Sequence, residues 1–372
     1  MTTTSGLEQV VGRFAKRVDL GVQFAEYDGD KILEEFLSEV LEAVTLPPKL
    51  RDLFKISKEY ESILYVAVPR YRDHVLHAIN VFLTGYAVLH SANNALCRWI
   101  ERQPGQFDVD KSWVLASVFH DVGQWMDKVS YWFPEVYRKF LYPGRRAEGG
   151  LQWLVSMHDF ASGEYRRDVE YLLDVPSLPA RRGRREVQDC LARRLFEDQN
   201  HGIVSCLAVK HWLQALHCKV EDSTLYHAMA AMAFHDSRVW EGVGHSRAPQ
   251  VFVLRRMPIA FLLAYCDGIQ EWGRGGAWGA LPGPSAAGTK VRGTPELALL
   301  EVELQQQKKG PKPTVCCELT YPPDRRMQDA ARRAYSTLQD YWHTGSEWEF
   351  RVDCYCYGPS GRTKVAGALL GQ

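Results

Sequence analysis

The chain has 372 residues, 46% of them apolar and 12% aromatic, enough to bury a large core and to hold more than one domain. Lys and Arg number 45 and Asp and Glu 45, so no overall basic field draws the chain to nucleic acid or to an anionic membrane. Nine cysteines at irregular spacing, without a Cys-x-x-Cys pair, exclude a zinc ribbon and a dithiol redox motif; with no signal peptide they read as thiols in a reducing cytosol.

Residues 1–60 have mixed polarity at helical spacing. Ile32, Leu33, Phe36, Leu37, Val40, Leu41 and Val44 recur every three or four positions and predict an amphipathic helix that stops before Pro47-Pro48. This N-terminal extension is expected to cover a face of the domain C-terminal to it. Pro69 suits a helix start, and Val75, Ile79, Phe82, Val88 and Leu89 mark a long helix bearing His74 and, one turn on, His77. The apolar run Trp113–Phe119 predicts a buried helix ending on His120-Asp121, which places a neutral nitrogen beside a carboxylate with a second oxygen to spare. Gly123 is expected to let the backbone turn so that both side chains face one cleft.

From 131 to 197 aromatic residues alternate with charged loops, a short helix starts at Trp153, and Pro176, Pro179 and Arg181-Arg-Gly-Arg-Arg185 mark a long loop of the kind that walls a pocket. Asp198 or Asn200 can cap a helix that holds His201 in its first turn and Ile203, Leu207, Leu213 and Leu216 on its apolar face. The next helix, from Ser223-Thr224, is rich in Ala and Met and ends on His235-Asp236, repeating the pattern at His120. Pro258 opens a helix that is apolar all round and reaches Asp267, a costly place for an unpaired carboxylate. That run is too short to span a bilayer. His90, His211, His217, His227, His245 and His343 read as surface or packing residues, and no long apolar helix precedes His158-Asp159.

Residues 276–294 are rich in Gly and Pro and form a linker. Beyond it, strand patterns at Leu299–Leu304, Thr314–Tyr321 and Trp348–Tyr357 and a helical pattern at Met327–Trp342 predict a small α+β unit of order β-β-α-β over 295–372. The adjacent Cys316 and Cys317 would point to opposite faces of their strand.

His77, His120-Asp121, His201, His235 and Asp267 thus stand at the edges of different predicted helices. Their order resembles that of the HD-domain superfamily of metal-dependent phosphohydrolases, in its two-metal branch with the cyclic-nucleotide phosphodiesterases and HD-GYP proteins. His77-Ala-Ile-Asn-Val81 is similar to that family's first histidine helix, Phe119-His-Asp-Val-Gly123 to its namesake motif, and Asn200-His201, Phe234-His235 and Ala264-Tyr-Cys-Asp267 to its later ligand regions. Asp267–Arg274 is similar to a stretch of uncharacterised bacterial HD-domain proteins. The likeness covers roughly 60–275 and implies an all-helical HD domain at 61–275 followed by the α+β unit. It also implies one or two divalent ions (Fe, Mn, Zn or Mg), with His77, His120, Asp121 and Asp267 on one, and Asp121 bridging to a second on His201 and His235. Such ions acidify a shared water and neutralise phosphate charge, so hydrolysis of a phosphoester or phosphoanhydride, most simply of a nucleotide, is the expected activity.

The chain departs from the family in places. Gln124 stands where the HD-GYP branch has lysine, with Lys128 one turn on; the Gly-Tyr-Pro signature is missing; and Asp73 occupies the position of the phosphodiesterases' general-acid histidine. No cyclic nucleotide is therefore assigned. Asp73 or His74 is the candidate proton donor, and Arg72, Gln124, Lys128, Arg247 and Arg274 are candidates for the phosphate side. Two other readings share these ligands: a mixed-valent di-iron oxygenase of the HD type, and a non-catalytic metal or nucleotide sensor.

Overall fold

The structure is a computed structural model that describes residues 6–19, 28–67, 74–103, 105–125, 200–236, 254–270, 300–305, 314–321, 348–358 and 361–370. Among these, the runs of apolar residues at helical spacing become eight α-helices. The chain enters through α1 (Gly6–Asp19) and α2 (Asp28–Ala43), which pack on each other with Phe14 stacked on Phe36, ring centroids 3.9 Å apart. The end of α2 before the proline pair is a Schellman closure: Thr45 takes φ +56, and the Leu46 N–H donates to the Leu41 carbonyl at 2.8 Å. A 3-10 turn at Pro48–Leu50 then leads into α3 (Arg51–Ala67), so the expected division at residue 60 falls inside a helix.

The helices that position the site are α4 (His74–Glu101), α5 (Val109–Phe119), α6 (His201–Ala215), α7 (Asp222–Phe234) and α8 (Pro258–Gln270). α7 packs against α5, α6 and α8, and α4 packs against α5 and α8. A helix surrounded in this way must be apolar all round and narrow, which accounts for Ala228-Met-Ala-Ala-Met-Ala-Phe234, every residue of it buried. Trp113, fully buried, donates its indole N–H to the Phe82 carbonyl at 3.0 Å. Its ring lies over α4 where Gly85 leaves room; a Cβ there would collide with the indole.

α5 and α7 start from one tie. The Asp108 N–H donates to Thr224 Oγ1 at 3.0 Å, and the Ser112 hydroxyl donates to the Thr224 carbonyl at 2.9 Å. Asp108 also caps α5 by accepting from the Lys111 N–H at 2.9 Å. From this shared origin each helix runs about 17 Å, at ~1.5 Å per residue, before its terminal histidine. His120 and His235 are the residues immediately after their helices, and their ring centroids stand 4.9 Å apart.

The C-terminal strands form one sheet in the order β1 (Leu300–Gln305), β2 (Thr314–Tyr321), β3 (Glu349–Gly358), β4 (Gly361–Leu370). β1 and β2 are antiparallel, with Val302 opposite Cys317. β2 and β3 are parallel, with Cys317 opposite Val352, and β3 and β4 are antiparallel with an irregularity at Cys354/Tyr355. The first three strands coincide with the alternating segments of the sequence; β4 is additional to them. The expected helix at 327–342 lies outside the described residues. Phe350, at the start of β3, is fully buried against Phe261 and Tyr265 of α8, at ring-centroid distances of 5.0 and 5.1 Å. No described helix is long and apolar enough to cross a membrane.

The Thr224 tie generates a direct test. Thr224→Val keeps the shape and leaves the Asp108 N–H without its acceptor, so unfolding free energy should fall by about 1–2 kcal/mol. In urea the midpoint should drop with an unchanged m-value.

Candidate metal centre

Six side chains from five segments converge between α4, α5, α6, α7 and α8. His77 lies in the first turns of α4 and Asp267 near the end of α8, and His77 Nε2 is 2.7 Å from Asp267 Oδ1. His120 and Asp121 follow α5, His201 opens α6, and His235 follows α7. Asp121 is the hub. Its Oδ2 faces His77 Nε2 at 3.9 Å and His120 Nε2 at 3.4 Å; its Oδ1 faces His201 Nε2 at 3.2 Å and His235 Nε2 at 3.5 Å. His120 Nε2 is also 3.9 Å from Asp267 Oδ1. Donor atoms around one ion with bonds near 2.1 Å stand about 3–3.5 Å from one another, so these separations suit metal ligands.

The local structure fixes where each imidazole points. The Nδ1–H of His120 donates to the Ser117 carbonyl at 2.8 Å, and that of His235 to the Met232 carbonyl at 2.7 Å. Both helices end with the same device, a terminal ring folded back onto the last turn. His201 Nδ1 lies 3.3 Å from Asp236 Oδ2. These contacts assign the proton to Nδ1 on all three rings and leave the Nε2 lone pairs facing inward. His120 Nε2 is accordingly buried with no hydrogen-bond partner among the described residues, and His201 Nε2 and His235 Nε2 face each other at 3.0 Å. Two lone pairs at that distance repel unless a proton or a cation lies between them.

The electrostatics express the same crowding. Burial pulls His120 down to about 4, against the attraction of Asp121. Burial also opposes charge on His235, but its bond to Asp121 and the carboxylates of Asp267 and Asp236 outweigh it and carry His235 up to about 9. Asp121 and Asp267 are themselves buried, which favours their neutral forms, yet the surrounding histidines hold both well below the usual carboxylate range. In the absence of metal, a proton on His235 supplies the positive charge that the donor set calls for. His77, His120 and Asp267, and His120, Asp121 and His235, are groups that could hold a metal ion. Several imidazoles together favour a transition metal over magnesium.

Close backbone approach makes the convergence possible. A Cβ on Gly123 would lie 2.8 Å from the His201 carbonyl oxygen and 3.0 Å from Val204. The expected freedom to turn is therefore not what this position needs: the requirement is room for α6. The Gly123 N–H donates to Ser205 Oγ at 2.8 Å, which locks the turn after Asp121 onto that helix. Gly202 serves likewise against α7, where a Cβ would come within 2.9 Å of His235 Cε1.

Two residues that flank the histidines, Asn200 and Asp236, have positioning roles that the sequence motifs do not assign to them. Asn200, not Asp198, is the cap of α6: its Oδ1 accepts from the Ile203 N–H at 3.3 Å while its Nδ2 donates to Asp236 Oδ2 at 2.8 Å. Asp236 thereby orients both the cap and His201. The sequence carries the signal, as a third His-Asp pair and an Asn preceding a His. Gln124 is buried, and its Oε1 has no hydrogen-bond partner among the described residues. His74 opens α4. Asp73, Arg72, Lys128, Arg247 and Arg274 lie outside the described residues, as does His158-Asp159.

No family model, no curated protein and no solved structure matches the chain.

The opposed histidine shifts give the metal-stripped protein a stability optimum. His120 titrates lower in the fold than its ordinary 6.5, so its contribution is complete above pH 6.5 and is lost as pH falls through about 4. His235 titrates higher, so its contribution is complete below 6.5 and is lost as pH rises through about 9. Depressed Asp121 and Asp267 add a further loss in strong acid. Urea midpoints of EDTA-treated protein should peak near pH 6.5, and saturating metal should flatten the alkaline limb.

Proposed function

We propose that this chain is a metal-dependent phosphohydrolase with an HD-type helical domain, acting on a small phosphorylated substrate of nucleotide type. The observation that supports this reading is the division of Asp121: one carboxylate oxygen faces His77 and His120, the other His201 and His235. A single carboxylate between two sets of lone pairs is the donor pattern of a two-ion centre. In this reading Asp267 completes the first set, and Asp236 orients His201 in the second. Divalent ions held there would supply Lewis acidity, acidifying a shared water and neutralising charge on a phosphate oxygen.

The remaining steps belong to the chain. His120 and His235, clamped through Nδ1 to their own helices, keep their donor atoms in place and need no reorganisation during the reaction. Asp267, whose side chain is 19% exposed against 0% for His120, marks the side from which substrate enters. The orphaned Oε1 of Gln124 accepts a substrate hydroxyl or amino proton. His74 or Asp73 delivers a proton to the leaving oxygen, and Arg72, Lys128, Arg247 and Arg274 are the basic groups assigned to the phosphate. The strands after the linker belong to an accessory α+β unit, and a cytosolic location is part of the same reading.

Metal analysis of the purified protein, followed by assay of nucleotides and phosphoesters for released phosphate with added Mn²⁺, tests the proposal. Asp121→Ala should lose the metal held at this centre and reduce phosphate release to background while the helical circular dichroism persists. Full metal load in that variant overturns the scheme. Asp236→Asn should keep the fold and lower metal affinity by roughly 10- to 100-fold. Iron with an electron paramagnetic signal on partial oxidation, and no phosphate released, would instead favour the di-iron oxygenase.

A further inference from the structure

At the opposite end of the α4–α5 pair a second group of metal-ligand residues comes together: His90 and Cys97 on α4 and Asp110 in the first turn of α5, with one donor atom from each within 4.8 Å of the others. His90 Nε2 lies 2.9 Å from Asp110 Oδ1. Cys97 is buried and outside any disulfide, and its Sγ lies 3.7 Å from Glu101 Oε1. His90 and Asp110 side chains are 17% and 28% exposed, so the group opens to solvent.

This grouping is not a by-product of helix periodicity. Residues seven apart on a regular helix are separated by about 10.5 Å along the axis, too far for the ring of His90 and the short side chain of Cys97 to share a ligand. Asn94, between them, has φ +61 inside α4. Asn tolerates that left-handed conformation better than other residues with a Cβ, but at a cost in strain; it is where α4 departs from regular geometry. The same Asn94 places its Oδ1 3.2 Å from His90 Nδ1. It can therefore accept the Nδ1–H and leave the Nε2 lone pair toward Asp110, as an outer-shell partner does for a metal-bound histidine. Burial, followed by the carboxylates of Asp110, Glu101 and Asp108, pushes the Cys97 thiol up to about 12. Electron-rich groups are crowded here with one imidazole as their sole possible cation within the group.

We propose that His90, Cys97 and Asp110 form a second metal site, separate from the six-residue centre, for a divalent ion of the zinc class, with Glu101 or water as fourth ligand. Nitrogen, thiolate and carboxylate donors suit Zn²⁺, whereas Mg²⁺ and Ca²⁺ take oxygen. His90 is thirteen positions beyond His77 on α4, and Asp110 is eleven positions before Asp121, so the sites stand roughly 15–20 Å apart. α4 and α5 run antiparallel between them, and the ion fastens the far end of the pair whose near end presents His77 and His120. Metal binding deprotonates Cys97, and the proton leaves to solvent.

Cobalt(II) titration of EDTA-treated full-length protein tests this. A near-ultraviolet sulfur-to-cobalt charge-transfer band should appear, because none of the six residues of the other centre carries sulfur. Cys97→Ser should abolish the band and remove one equivalent of bound metal. Asp110→Asn, at a partly exposed position, should weaken the titration at least ~10-fold with unchanged circular dichroism. Asp121→Ala should keep the band, so failure here and failure of the hydrolase reading are separable. Absence of the band in wild-type protein, or its persistence in Cys97→Ser, overturns the proposal and leaves His90 as an imidazolium between Asp110 and Asn94.

Discussion

The structure turns on the carboxylate of Asp121 and the four imidazole nitrogens gathered around it. Burying this many donor atoms so close together is unfavourable without compensating positive charge. The helices nevertheless aim them inward, with the rings of His120 and His235 held from behind by a carbonyl and that of His201 by a carboxylate. Such an arrangement makes physical sense as a receptacle for cations, and the opposite shifts of His120 and His235 are what protons alone can do to satisfy it.

The rest of the helical body serves that geometry. Thr224 starts α5 and α7 at one level, so their terminal histidines finish at one level. Gly123 and Gly202 let α6 approach closely enough for His201 to reach the same carboxylate as His235. Residues that contribute no donor atom thus set the distances between those that do.

How much of this is legible in the chain depends on how local the signal is. Apolar runs ending in His-Asp are visible because both the helix and its last residue lie within a few positions, and the six convergent residues do stand at the edges of buried helices. The purpose of Gly123 is not legible, because the need for room is imposed by α6, some eighty residues away. Asp236 shows as a repeated dipeptide, but its service to Asn200 and His201 depends on how α6 meets α7. His90, a surface or packing residue on its sequence context alone, and Cys97 have no metal-like spacing, since a regular helix would keep them apart; only the unusual backbone at Asn94 joins them. β4 escapes a pattern reading because Gly361–Leu370 lacks clean alternation.

Phe350 bears on any attempt to dissect the chain. Its ring fills the space beside Phe261 and Tyr265, the latter two residues before Asp267, and Trp348 meets Trp99 of α4 at a ring-centroid distance of 6.0 Å. Although a glycine-rich stretch separates them in sequence, the strands and the helices share this apolar seam. Removing the strands would lay bare the apolar side of α8 on the very helix that presents Asp267.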